Sequence, residues 1–249
     1  MNEKILLNKT AIVTGAGSGL GRATALLMAQ EGARLAVIDI NKDGLDKTAS
    51  EIKDINGTVL SYCIDIRNGT EIHKAVDEVC DTFGSLDILA NIAGIWDRHT
   101  GKRTYFIDSE EETWKQIIGV NLFGTMICSR AALGQMIKQR SGKIINLGSV
   151  SGVSGLPMMA DYSASKGAVI AFTKALAIEV GEHNIQVNCV SPGSVDTVGN
   201  GKAPPTLLGR AGTAEENAQL ILFLASHNAD FITGQNYIID GGRTLSTRW

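Results

Sequence analysis

Proline is scarce in this chain, with 4 residues in 249, and aromatic residues make up only 5%. So little proline excludes a proline-rich disordered segment, and the glycines do not fall at every third position, which excludes a collagen-like fibre. Basic excess is also missing. Lys and Arg total 23 against 26 Asp and Glu, a net charge of −3. No block of like charge supplies the basic face that nucleic-acid binding ordinarily needs. The first ten residues carry Glu3, Lys4 and Lys9 and no apolar run of signal-peptide length. No long uninterrupted apolar stretch is visible, so no membrane span is expected. The four cysteines, Cys63, Cys80, Cys128 and Cys189, form no C-x-x-C pair and no Cys/His cluster of zinc spacing. They read as reduced, buried thiols of a cytoplasmic protein, and no metal is expected.

What is abundant is glycine: 28 residues, about 11% against roughly 7% in average usage. Short apolar runs alternate with longer helical patterns. The runs are 11–13, 35–38, 59–64, 86–90, 143–147, 185–190 and 237–239. Most are continuous rather than alternating, as expected of strands buried on both faces. Between them, helical spacing predicts helices over 19–31, 71–83, 110–138 (long and interrupted), 162–180 and 214–225. Strand and helix repeated to the end predict a single α/β domain, a doubly wound parallel sheet with helices on both faces. Ligands of such sheets bind at the carboxyl ends of the strands.

The first strand ends in Thr14-Gly15-Ala16-Gly17-Ser18-Gly19-Leu20-Gly21, and a helix follows at once. Glycines there let backbone N–H groups approach a pyrophosphate at the positive helix N-terminus. The spacing is G-x-x-x-G-x-G (Gly15, Gly19, Gly21), not G-x-G-x-x-G. Asp39 ends the second strand and is placed to accept from the adenosine ribose hydroxyls. Its carboxylate repels a 2′-phosphate, Ile40 after it is not basic, and Ser18 stands where a basic residue would hold that phosphate. NAD(H) is therefore favoured over NADP(H).

Tyr162 and Lys166 are four residues apart, on one helix face. A free tyrosine, with a pKa near 10, is a poor base at neutral pH, and a neighbouring ammonium lowers it. Ser149 follows the fifth strand, where its hydroxyl can bond a substrate oxygen that gains charge during hydride addition.

Taken together, these motifs resemble the short-chain dehydrogenase/reductase family over essentially the whole chain. The matching residues are the 14–21 loop, Asp65 in Cys63-Ile64-Asp65-Ile66, Asn91-Ile92-Ala93-Gly94, Asn121, Ser149, Tyr162, Lys166 and Pro192-Gly193. The resemblance implies a Rossmann fold with seven strands in the order 3-2-1-4-5-6-7. It implies Tyr162 as general acid/base and Lys166 as the group that lowers its pKa and holds the ribose. Ser149 would polarise the carbonyl, and Asn121, in a helix irregularity, would anchor a water of the proton relay. Gly15, Gly17, Ser18, Gly19, Leu20, Gly21, Asp39 and Ile40 would bind the cofactor. Asp65 with Ile66 would contact adenine. Asn91, Ala93 and Gly94 would line the cleft, followed by Pro192, Gly193, Val195 and Thr197 at the carboxamide. Ser149, Ser151, Trp96 and Tyr162 are the candidates to touch substrate. Ile92 departs from the paired asparagines usual there, with small structural consequences expected.

The function implied is NAD(H)-dependent interconversion of a small secondary alcohol and a ketone. Reduction of a carrier-bound 3-oxoacyl group and a non-catalytic dinucleotide sensor are the alternatives. A homotetramer is implied, with no nucleic-acid or membrane partner. The substrate lid, 198–208, is short for the family. The 95–109 loop is long and holds Trp96, Arg98, His99, Lys102 and Arg103. With Asp97 and Asp108 nearby the loop reads first as a solvated one, the alternative being that its basic groups draw an anionic substrate.

Overall fold

The computed structural model describes residues 4–97, 103–196 and 206–245. Thr197, most of the short lid (198–205), and Arg98, His99 and Lys102 lie outside the described residues. Seven parallel strands form the sheet: β1 (Thr10–Thr14), β2 (Arg34–Asp39), β3 (Val59–Cys63), β4 (Ile88–Asn91), β5 (Gly142–Leu147), β6 (Ile185–Pro192) and β7 (Asn236–Ile239). Their spatial order is 3-2-1-4-5-6-7, as expected. β1 sits between β2 and β4, with Ala11 opposite both Leu35 and Ile88.

Why the runs are continuous is visible in the packing. Adjacent residues of one strand point to opposite faces. Val13 feeds one core and Ile12 the other, and Val37 and Ile38 divide the same way. The first core lies under α1 (Gly19–Gln30), α2 (Lys42–Asp54) and α8 (Ala214–Ala225). The second lies under α3 (Gly69–Phe83), α5 (Thr125–Gln139) and α7 (Ala160–Val180).

The expected interruption of the third helical stretch, 110–138, is found. α4 (Glu111–Ile118) passes into a π-helical segment, Gly119–Gly124, before α5. The continuous run Glu111–Gln139 is long and apolar enough to cross a membrane by length and composition. That differs from the sequence expectation, because isolated charges such as Lys115 and Arg130 break its apolar pattern. In the fold, α5 packs against α3, and α4 against α7, as core helices do.

Two helices have no counterpart in the sequence reading, the short α6 (Ser151–Ser154) and α2. α2 is polar overall, and only Leu45, Thr48, Ala49 and Ile52 are buried. Its start is marked by Asn41, whose side chain accepts from the Gly44 N–H. α8 begins on a capping box: Thr213 accepts from the Glu216 N–H, and Glu216 from the Thr213 N–H. Replacing Thr213 with Ala is expected to cost about 1 kcal/mol, read as a lowered urea midpoint with unchanged slope.

Two cysteine expectations are corrected. All four thiols are free, and Cys128 and Cys189 are buried, but Cys63 is exposed and Cys80 half-buried. Cys63 ends β3, an edge strand with an outer side open to solvent.

Candidate active site

The turn after β1 lies at the carboxyl edge of the sheet, beside the loop that follows β4. Gly15 has φ +70°, and a side chain there would place Cβ 2.7 Å from the Ala93 Cα. Only glycine fits that backbone conformation and that approach. α1 then starts at Gly19 with no acidic residue in its first turn, and the Ser18 side chain caps nothing. Its N-terminal N–H groups are left to face a phosphate.

Asp39 is positioned above this turn by two backbone donors. The Gly17 N–H donates to Oδ2 and the Asn41 N–H to Oδ1, both at 2.8 Å. Each oxygen keeps a second lone pair for a diol. Ile40 beside it is exposed. The glycine cradle, the open helix terminus and this carboxylate fit the pyrophosphate and ribose of a nicotinamide dinucleotide.

The next two loops depart from the sequence expectation. Arg67 engages both carboxylate oxygens of Asp65 and holds its pKa below the usual carboxylate range. Ile66 is buried in the second core, its side chain packed against Gly124. The Asn91 side chain likewise turns away from the cleft. It donates to Ser129 Oγ (3.0 Å) and Asn146 Oδ1 (2.9 Å), tying β4 to α5 and β5. Ile92 is buried in the first core, and its N–H donates to Thr14 Oγ1. Thr14, Asn91 and Asn146 thus tie β1, β4 and β5 together.

The π-helical segment brings Asn121 inward. Its side chain is fully buried, accepting from the Ile95 N–H and donating to the Ile95 carbonyl, both at 2.8 Å. Its amide also donates to Ser165 Oγ at 3.0 Å. Asn121 therefore clamps the loop after β4 to α7, and both side-chain donors are engaged by protein rather than offered to a water. A Cβ on Gly94 would stand 3.1 Å from Asn121 Oδ1 and 3.2 Å from Lys166 Nζ, so Gly94, Asn121 and Lys166 meet at one point.

Lys166 is buried and its ammonium donates to the Leu147 carbonyl at 2.8 Å. Tyr162 sits one turn earlier, with Lys166 Nζ 5.9 Å from its ring centroid. Burial pushes the tyrosine hydroxyl above its ordinary pKa, opposed by a hydrogen bond with Ser149. The sequence expectation of a lowered tyrosine pKa is therefore not met in the protein alone, because burial outweighs the Ser149 hydrogen bond. Burial lowers Lys166 to about 8.

Ser149 accepts from the Ser151 N–H (3.1 Å) and hydroxyl (2.8 Å). Ser151 is itself buried and turned toward Ser149, which it orients. Nothing in its sequence neighbourhood signals that role. Pro192 accepts from the Val150 N–H, and Gly193 packs against Asp240, which fixes the loop leading to Val195. Val195–Asp196 pairs with Gly212–Thr213 in a short two-stranded sheet.

The low lysine pKa has a stability consequence. Between about pH 8 and 10 the unfolded chain keeps the Lys166 proton while the folded chain releases it, so Lys166 contributes stability that grows with pH. The buried Cys128 and Cys189 thiols, held above their ordinary range, contribute in the opposite sense. Lys166→Met is expected to shift the slope of stability against pH downward relative to wild type, checked by urea unfolding at the two ends of the window. An unchanged slope would assign the Lys166 effect to another group.

A doubly wound parallel sheet carrying this glycine turn, carboxylate and Ser-Tyr-Lys cluster defines a dinucleotide-binding oxidoreductase fold. The chain belongs to the short-chain dehydrogenase family, whose sequence model matches residues 9–207. A 3-oxoacyl-[acyl-carrier-protein] reductase of Thermotoga maritima is 40% identical, with 96% of this chain and 99% of the relative covered. An acetoin dehydrogenase structure from Salmonella typhimurium superposes with TM-score 0.87 at 35% identity, covering 96% of this chain and 98% of that one. An NAD+-bound xylitol dehydrogenase superposes with TM-score 0.88 at 30% identity, covering 95% and 99%.

Proposed function

We propose that this oxidoreductase uses NAD(H) to interconvert a small secondary alcohol and a ketone, with Tyr162 as general acid/base. The observation that carries the reading is the contact between half-buried Tyr162 and Ser149, one helical turn from buried Lys166. A bound nicotinamide dinucleotide supplies or accepts the hydride. Tyr162 holds its proton at the hydroxyl at neutral pH, ready to give it to a carbonyl oxygen that becomes an alkoxide. Ser149 donates a hydrogen bond to the same oxygen, and Ser151 fixes the Ser149 rotamer. In the oxidative direction Tyr162 accepts the proton, and the Lys166 ammonium favours the phenolate that does so.

NAD(H) rather than NADP(H) is supported by Asp39, whose charge opposes a 2′-phosphate. A homotetramer is supported by apolar side chains that one chain leaves exposed, among them Met126 on α5, Ile178 on α7 and Ile238 on β7. We place the protein in the cytoplasm on its free thiols.

The carrier-reductase relatives favour a second reading, reduction of a 3-oxoacyl thioester. A panel of sugars, polyols, steroids, dihydrodiols and hydroxyacyl thioesters, each with NAD+ and NADP+, separates the two. The first reading expects turnover of a free alcohol with NAD+. Turnover confined to thioesters with the phosphorylated cofactor would establish the second.

A further inference from the structure

The chain leaving β5 is pinned at both sides of Ser149. The Gly148 N–H donates to the Val190 carbonyl and the Val150 N–H to the Pro192 carbonyl, so this bend follows the end of β6. The one-turn helix α6 then lies directly on α7. Gly152 marks the contact: a Cβ there would stand 2.6 Å from the Gly167 nitrogen and from the Lys166 carbonyl carbon. Ser151 is thus fixed relative to the helix that carries Tyr162 and Lys166.

The hydrogen bonds of this serine pair have a polarity. Ser149 Oγ accepts twice from Ser151, from its N–H at 3.1 Å and from its hydroxyl at 2.8 Å. A hydroxyl oxygen has two lone pairs and one hydrogen. Both lone pairs are taken, so Ser149 has only its hydrogen left to offer, and Tyr162 is within its reach. Ser151 is 1% exposed, so water does not compete for its hydroxyl. With no lone pair open on Ser149, the Tyr162 proton cannot be tied up between the two side chains.

We propose that Ser151 is a positioning residue that makes Ser149 a donor only, so that Ser149 and Tyr162 both direct protons at one oxygen of the substrate. The inference rests on Tyr162 being the acid/base. Without the Ser151 hydroxyl a lone pair reopens, and Ser149 can turn and accept from Tyr162. The two side chains then satisfy each other: the neutral tyrosine gains a bond and its anion loses one.

The test needs no substrate. The four tyrosines are labelled as 3-fluorotyrosine, a stronger acid than tyrosine, and titrated by fluorine NMR in the folded protein. The Tyr162 signal is the one missing in Tyr162→Phe. Ser151→Ala should raise its midpoint by about one pH unit, a tenfold weaker acid. Ser151→Thr keeps the hydroxyl and should stay close to wild type. A merely loosened turn would admit water and lower the midpoint, since burial is what raises this tyrosine. Ser149→Ala removes the donor itself and should also raise the midpoint, whereas loss of an acceptor would lower it. That variant decides the polarity even where Ser151→Ala fails to fold.

An unchanged or lowered midpoint in Ser151→Ala, equal shifts in Ser151→Ala and Ser151→Thr, or a lowered midpoint in Ser149→Ala overturns the inference while Tyr162-dependent turnover stands. Turnover retained in Tyr162→Phe overturns the parent reading instead.

Discussion

Tyr162→Phe should reduce turnover by about a thousandfold or more while leaving NADH binding within about twofold of wild type. The substitution removes one oxygen. The ring remains half-buried in the same place, so the fold has little to lose beyond the contact with Ser149. What is lost is the group that holds a proton where the substrate oxygen must gain or shed one. Binding, read by titration of reduced-cofactor fluorescence, depends on the glycine turn and Asp39 and should persist. Retained turnover would assign the proton transfer to another group. Loss of both binding and turnover would mark Tyr162 as structural.

Asp39→Ala should change cofactor choice by about a hundredfold, lowering kcat/KM with NAD+ and raising it with NADP+. The reasoning is electrostatic. Like charges brought together at a binding site cost several kcal/mol, and a factor of one hundred is about 2.7 kcal/mol. The carboxylate is held over the turn by the Gly17 and Asn41 amides and cannot swing away without giving up both bonds. A wild-type enzyme that already prefers NADPH would overturn this reading of Asp39.

Much of the frame was legible in the sequence because the strands are buried on both faces. Ala11-Ile12-Val13 is apolar at every position since its residues enter two different cores. The glycine turn was legible for a local reason too: close backbone approach admits no side chain. α2 was not, because it buries only a narrow stripe beneath a polar surface. The side-chain contacts around the site that sequence did not show are those decided by distant residues. Asn91 turns to Ser129 and Asn146, far along the chain, and Ile66 to Gly124. Ser151 supports Ser149 only because the short helix Ser151–Ser154 buries it. The direction of the tyrosine shift likewise depends on burial, which residue spacing does not report.

The central claim is hydride transfer between a free secondary alcohol and NAD+. The most direct measurement supplies secondary alcohols deuterated at the carbinol carbon to the wild-type protein with NAD+. The reduced cofactor is then analysed by mass. The account predicts that deuterium from at least one alcohol is recovered in NADH, and that Tyr162→Phe stops the transfer. Dinucleotide bound, yet no label transferred from any alcohol, would contradict it.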